Sequence, residues 1–255
     1  MDLKVIAYAR NGHTDKFGIP RQSREESPIL TRIVFEPEYA VSEALRGIEG
    51  YSHLWLIWGF SQNRIQNTDR FADRAQTENE WLPTVRPPRL GGNKRMGVFA
   101  TRSPFRPNPL GLSSVRLVGI ENGELIVSGA DVLDGTPIYD IKPYLSFSDS
   151  HPEAQNGFAE ETKDYRLVVR WDEIGLITDK SPTNNLLITY YSPTNRILLK
   201  EQVKEEMEYI LSQDPRPAYQ DDPEREYKMD YAGYTVTFVV NKQEVIVKKV
   251  EKTSK

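Results

Sequence analysis

Hydrophobic residues in the first 145 positions fall in short β-rich runs. These are LKVIAYAR, TRIVFEP, HLWLIWGF, MGVFATR, SSVRLVGIENG, ELIVSGADVL and IYDIKPYL, separated by Gly, Pro, Asn and Asp. Runs of this length, rich in Val, Ile and aromatic residues and bounded by turn formers, read as strands. No long amphipathic helix stands between successive runs. Parallel neighbours would need such crossovers, so the pattern predicts a mainly antiparallel sheet or β-barrel rather than a doubly wound βαβ fold. Val41 to Arg46 (VSEALR) fits a helical turn, and the polar, charged stretch from Asn63 to Glu80 reads as an excursion or mobile insertion.

Further along, SDSHPEAQNGFAEET (Ser148 to Thr162) is polar and contains Pro and Gly, which reads as a linker. Beyond it a strand is expected at Tyr165 to Arg170. A helix is expected from Asn195 to Leu211, its apolar positions being Ile197, Leu198, Val203, Met207, Ile210 and Leu211. GYTVTFVV and EVIVKKV, joined by Asn241, Lys242 and Gln243, form a hairpin pattern. The expected organisation is a mainly β N-terminal domain over residues 1–147 and a smaller α+β C-terminal domain over residues 163–255.

Composition narrows the class. The 255 residues are 38% hydrophobic and 27% charged, ample for a sizeable core. No apolar run approaches the roughly 18 residues of a membrane span, and MDLKVIAYAR lacks the marks of a signal peptide. There are no cysteines, which excludes disulfides, thiolate metal sites and cysteine nucleophiles, and a cytoplasmic location is expected. His13, His53 and His151 are too scattered to suggest a metal site, and none is expected. The net charge of −4 argues against coating nucleic acid along the whole surface, so any such contact needs a local patch. One exists: Arg86, Arg89, Lys94, Arg95, Arg102, Arg106 and Arg116 lie between Pro83 and Glu121 with no acid among them. A solvated face of one sign has the same appearance.

Familiar catalytic signatures are missing: no GxGxxG after a strand, P-loop, GxSxG or HExxH. Hydrolase and kinase readings lose support. What remains is four loops rich in Arg, Pro and Gly: Gly18 to Ser23, Thr84 to Arg95, Thr101 to Leu112 and Ala130 to Leu145. Proline stiffens such loops, glycine permits close backbone approach, and arginine offers a planar fork to carboxylate, phosphate or a base. The same residues also end strands. Arg102 and Arg106 fit one ligand carboxylate and one phosphate, or exposed positions without a role. Asp134 in the Asp-Gly step marks a turn, or with Asp131 accepts hydrogen bonds from a ribose or amino group.

RPPRLGGNKRMGVFATRSPFRPNPLGLSSV followed by DVLDGTPIYDIKPYL resembles the signature of the TrmO (YaeB-like) family. GIPRQS, RGIEGYSHLWLIWGF and QDPRPAY extend the resemblance over most of the chain. It implies a β-barrel methyltransferase without a Rossmann core, using S-adenosylmethionine to methylate N6 of threonylcarbamoyladenosine at position 37 of tRNA. It also implies a homodimer. By motif, the cofactor would meet Pro20, Arg21, Gln22, Ser61, Gln62, Arg102, Leu112, Asp131, Val132, Leu133 and Asp134. The chain has Ser61-Gln62 where the family often has His-Gln, and its 63–80 stretch is longer than the resemblance implies. Methyl transfer asks mainly for orientation in a dry pocket plus a proton acceptor, for which Asp134 or Tyr139 is the candidate. Arg86, Arg89, Lys94, Arg95 and Arg106 would meet tRNA phosphates. Arg216, in QDPRPAY, would add a contact or belong to a rigid turn that packs the two domains. The rival reading is a non-catalytic module that senses S-adenosylmethionine or docks RNA.

Overall fold

In the run LTRIVF the fully buried Thr31 and Ile33 alternate with the exposed Leu30 and Arg32, so one face of the strand turns inward. The same inward choice repeats across six strands of a computed structural model that describes residues 3–20, 22–60, 81–87, 94–171, 176–179, 187–192, 195–216 and 222–253. These strands are β1 (Ala7–Arg10), β2 (Leu30–Phe35), β3 (His53–Gly59), β6 (Leu110–Glu121), β7 (Glu124–Ser128) and β8 (Pro137–Pro143). Pairing runs β1-β2-β7-β6-β3-β8 and returns to β1, every junction antiparallel, so the sheet closes into a six-stranded ring.

Inside the ring lie Ala7, Ala9, Ile33, Leu54, Leu56, Trp58, Val115, Leu125, Val127 and Ile138. Trp58 stands opposite Gly111 in the β3–β6 register, and a Cβ at Gly111 would run into its indole. Glycine is what lets the largest inward side chain lie flat against the neighbouring backbone. The β3–β8 register slips between Ile57, opposite Asp140, and Trp58, opposite Ile138, leaving Tyr139 as the extra residue of a bulge. Bulges of this kind re-aim a side chain.

Between β3 and β6 the chain makes a small hairpin of β4 (Thr84–Val85) and β5 (Met96–Gly97). The MGVFATR run thus forms a two-residue strand and then a 3₁₀ turn at Val98–Ala100, shorter than its composition suggests. Pro83 and Pro87 flank β4 and lack the N–H needed to extend pairing. VSEALR makes its helical turn as a 3₁₀ segment, Ser42–Leu45. The 63–80 stretch lies outside the described residues.

The expected linker is not all coil. It begins inside α1 (Ser146–Asp149) and ends in a 3₁₀ turn at Gly157–Thr162. Asp149 fixes the start by accepting from Trp55 Nε1 at 2.8 Å and the Leu145 N–H at 3.0 Å, bonds that hold its carboxyl below the usual range.

Beyond it come β9 (Val168–Trp171), β10 (Leu176–Asp179), β11 (Leu187–Ser192), β12 (Asn195–Lys200), α2 (Glu201–Ser212), β13 (Tyr227–Tyr231), β14 (Tyr234–Asn241) and β15 (Glu244–Lys252). The helix expected from Asn195 starts six residues later, because 195–200 pairs along its whole length with β11. A short apolar run has no strong period of its own, and the available partner strand decided its form. The hairpin of β14 and β15 forms as expected, and β9 adds to β15 in parallel. Met207, Ile210 and Leu211 of α2 cover this sheet and share a core with Tyr227, Met229, Tyr231, Val236, Phe238 and Val247.

Residues 11–29, which join β1 to β2, bridge the two cores. Phe17 and Ile29 belong to the C-terminal core, the Ala232 N–H donates to the Gly12 carbonyl at 2.8 Å, and Gly18 (φ +101°) lies against Met229. His13 is buried edge-on to Tyr231 at 5.0 Å between centroids, its Nε2 without a partner among the described residues. Burial lowers its pKa from 6.5 to about 4, so it is neutral at neutral pH.

A base whose folded-state pKa lies below its unfolded value binds more protons when unfolded, so its contribution to stability is lost as pH falls through that interval. Wild type is therefore expected to lose stability relative to His13→Phe as pH drops from 6.5 to about 4. Urea unfolding of both proteins across this range measures the difference. A constant difference would show that His13 titrates alike in the folded and unfolded states, and that burial does not lower its pKa.

Candidate functional site

At the end of the ring where β6 begins, an interior strand position is polar. Ser113 alternates with Gly111 and Val115 on the inward face and is buried. Its Oγ accepts from Trp58 Nε1 at 2.8 Å and donates in a very short hydrogen bond to Asp131 Oδ1. A hydroxyl has one proton to give, so accepting from the indole commits that proton to the carboxylate.

Asp131 is the point where three of the arginine and proline loops meet. It lies in the 129–135 loop, it receives the backbone N–H of Ser23 next to Pro20 and Gln22, and it feels the charge of Arg102. Burial pushes its carboxyl above the usual range, opposed by the Ser113 hydroxyl, its own backbone N–H, Arg102 and the Ser23 N–H. The carboxyl oxygens are thus held in place by fixed donors, with the cationic Arg102 exposed nearby. A carboxylate beside a guanidinium suits a zwitterion, the acid binding an ammonium, sulfonium or hydroxyl and the arginine a carboxylate.

The loop itself is built by Asn11. Its Nδ2 donates to the Val132 carbonyl at 3.0 Å and to Thr31 Oγ1 at 3.3 Å, and its N–H donates to Asp134 Oδ1 at 3.2 Å. Asp134 also lies 3.7 Å from Arg10, returns its N–H to the His13 carbonyl at 2.9 Å, and is followed by Gly135 at φ +75°. Asp134 thus shapes the turn and leaves its carboxylate exposed. Val132 and Leu133 are buried, so their side chains anchor the loop. Gly129 (φ +84°) lets the loop touch the Arg24 carbonyl, where a Cβ would stand 2.6 Å away.

Tyr139, the extra residue of the β8 bulge, lies over Gly59, where a Cβ would meet its ring at 2.7 Å. That places its phenol at the end of β3. Arg21, Ser61, Gln62 and Arg89 lie outside the described residues. Leu112 is not gathered with Asp131: its side chain takes the opposite face of β6 from Ser113 and is 56% exposed.

Of the expected phosphate contacts, Arg86, Lys94 and Arg95 are exposed around the β4–β5 hairpin, Arg95 donating to Thr84 Oγ1 at 2.9 Å. Arg106 is half-buried and donates to the carbonyls of Thr101 at 3.2 Å and Val98 at 3.4 Å, which gives it a part in holding its own loop. Arg216 is only 7% exposed and forks onto Asp214 at 2.8 and 3.0 Å. Buried pairing of this kind supports the rigid-turn reading over a phosphate contact. No group of three His, Asp or Glu side chains arranged to hold a metal occurs among the described residues. Sequence reasoning missed Ser113, Trp58, Ser23 and Asn11. For Ser113 a signal existed, a polar residue at an inward position of an otherwise apolar strand face.

Residues 8–150 match the family model of the tRNA-methyltransferase O N-terminal domain, and residues 193–253 match that of the TrmO C-terminal domain. A tRNA (adenine(37)-N6)-methyltransferase of Eikenella corrodens is 42% identical over 204 residues, 78% of this chain and 97% of its own. An Archaeoglobus fulgidus protein described as a probable S-adenosyl-L-methionine-binding protein is 34% identical over 177 residues, 68% of this chain and 43% of its own. The crystal structure of TrmO from Pseudomonas aeruginosa superposes with a TM-score of 0.69 at 29% identity, covering 98% of both chains.

Removing the Ser113 hydroxyl takes away a donor that stabilises the charged form of Asp131. Ser113→Ala is expected to raise the Asp131 pKa further, measured by carboxyl carbon chemical shift against pH. A lower or unchanged value would mean that the hydrogen bond does not set the ionisation of Asp131.

Proposed function

The chain belongs to the tRNA-methyltransferase O family, and from that premise we propose that its Asp131 and Arg102 cradle positions S-adenosylmethionine for transfer to N6 of adenine 37 in tRNA. It is an S-adenosylmethionine-dependent tRNA (adenine(37)-N6)-methyltransferase. The observation that carries the site assignment is the meeting of the Pro20–Ser23 segment, Arg102 and Asp131 around one anchored carboxylate. The methyl acceptor is N6 of threonylcarbamoyladenosine at that position, following the motif resemblance. We read the closed ring as a β-barrel within a methyltransferase domain at 1–147, with a C-terminal domain at 163–255.

The donor set fits the cofactor. Arg102 is matched to its carboxylate and Asp131 to its cationic or hydroxyl groups, and Pro20 and Gln22, in the segment that brings the Ser23 N–H to Asp131, join by motif. Arg21, Ser61 and Gln62 join the set by motif, whereas Leu112, on the opposite face of β6, stands apart from it. When bound, S-adenosylmethionine supplies a methyl group on a sulfonium whose sulfur leaves as a neutral thioether. The chain's contribution is alignment: rigid loops hold the acceptor nitrogen in line with the methyl carbon. The N6 lone pair is delocalised into the adenine ring, so the nitrogen is a weak nucleophile and its proton becomes acidic only as the N–C bond forms. An ordinary exposed carboxylate serves as acceptor at that moment. Asp134, oriented by the Asn11 N–H and Arg10, takes that role, and Tyr139 presents its phenol from the bulge.

Phosphates of the tRNA meet the exposed cations around the β4–β5 hairpin, with Arg86, Lys94 and Arg95 in place and Arg89 by motif. A tRNA substrate and a chain free of cysteine support a cytoplasmic location, and the family resemblance supports a homodimer.

Transfer of labelled methyl to tRNA carrying the threonylcarbamoyl group, and none to tRNA lacking it, is the expected result. Cofactor binding without transfer to either RNA would favour the sensing module. Asp131→Asn should abolish detectable cofactor binding by calorimetry. Asp134→Asn and Tyr139→Phe should each lower turnover at saturating cofactor; near-wild-type rates for both would remove them as proton acceptors. Arg95→Ala should weaken tRNA binding and reduce the slope of log K against log salt by about 1, an unchanged slope counting against the patch.

A further inference from the structure

Two large aromatic side chains stand outside both cores. Trp81 is 44% exposed and Phe99 is 72% exposed, and their rings stack at 5.9 Å between centroids with 24° between planes. Their backbone is fixed. The Val98 N–H donates to the Pro83 carbonyl at 3.0 Å, the Leu82 N–H donates to the Phe105 carbonyl at 3.1 Å, and β4 pairs with β5 between them. Leaving such rings in water forfeits the free energy that their burial would supply.

The surroundings say what kind of partner would cover them. From Trp81 to Ile120 the sequence holds no Asp or Glu, and Lys94 and Arg95 are exposed on the same hairpin. Arg95 is tied to Thr84, the residue opposite Gly97 in the pairing. Exposed aromatic faces beside cations match the surface that unpaired nucleotides require: a flat ring for each base and positive charge for its phosphate. An acidic protein helix would use the cations but has no use for a flat, rigid ring pair. Phe99 lies three residues before Arg102, whose charge acts on Asp131, so one short segment carries both a ring of the pair and a residue of the proposed methyl-transfer site.

We propose that Trp81 and Phe99 form a stacking platform for an unpaired base of the RNA substrate, next to the pocket that receives the target adenine. The proposal rests on the tRNA reading above and adds the residues that grip the loop by stacking rather than by charge. A stacked base contributes through its π face, so the platform tolerates any base.

The test uses the full chain and an anticodon stem-loop RNA. Trp81→Ala with Phe99→Ala should weaken stem-loop binding about tenfold or more. The salt slope should stay at its wild-type value because no phosphate contact is lost, in contrast to Arg95→Ala. Trp81→Phe should restore most of the affinity, and calorimetric binding of S-adenosylmethionine should be unchanged. Wild-type stem-loop affinity in the double variant would overturn the platform while leaving the methyltransferase reading intact. Loss of cofactor affinity instead would mean that the rings hold the cofactor's adenine, and a changed sedimentation coefficient that they join two copies of the chain. Either result overturns the proposal. A wild-type protein that binds no stem-loop would bring down the tRNA reading and the platform together.

Discussion

The segment from residue 11 to residue 29 has to satisfy a hydrophobic core and a hydrogen-bonded loop at once. Phe17 and Ile29 are used by the C-terminal core, while Asn11 and Ser23 are used by the 129–135 loop of the ring. Neither support alone would define its path. Arg24 reinforces the arrangement by donating to the Lys163 carbonyl at 2.7 Å, and Arg166 pairs with Glu26 at 3.1 Å. The result is a segment whose position depends on packing far from Asp131, which explains how an otherwise irregular loop presents the Ser23 N–H to that carboxyl.

That fixity has an electrostatic cost. A carboxyl raised by burial is less stable in its charged form than the same group in an unfolded chain, so its ionisation works against folding at neutral pH. Ser113, Trp58 and Ser23 limit that cost without removing it. Strain of this kind is ordinary where binding requires a charge that the fold alone would not choose. Gly111 shows the same priority sterically: a residue of poor strand propensity sits at the second position of β6 because the Trp58 ring that donates to Ser113 needs its space.

Most of the ring was legible because period-2 alternation and turn residues are local signals, as in LTRIVF and the Asn122–Gly123 turn between β6 and β7. The helix expected from Asn195 failed for the complementary reason: its first six residues are strand only because 187–192 lies beside them. At the site, Asp131 and Arg102 stood out through their motifs. Ser113 had a local signal, but its hydrogen bonds to Trp58 and Asp131 depend on register and burial. For Arg216 in QDPRPAY the sequence left an RNA contact and a rigid turn both open; its burial and its fork onto Asp214 are tertiary facts. Leu112 belongs to the same motif as Ser113, yet one step along a strand reverses the face it serves.

The bond from Ala232 to Gly12 also orders events in time. A chain made from its N-terminus has residues 11–29 in hand long before either of their supports exists. The contact between Asn11 and Asp134 spans 123 residues, and the seal at Ala232 waits for almost the whole polypeptide. Contacts of such sequence separation form slowly because loop closure precedes any reward. The 11–29 segment is therefore among the last parts of the molecule to acquire its shape, and a ribosome-bound chain with a finished ring would still lack its seal at Gly12.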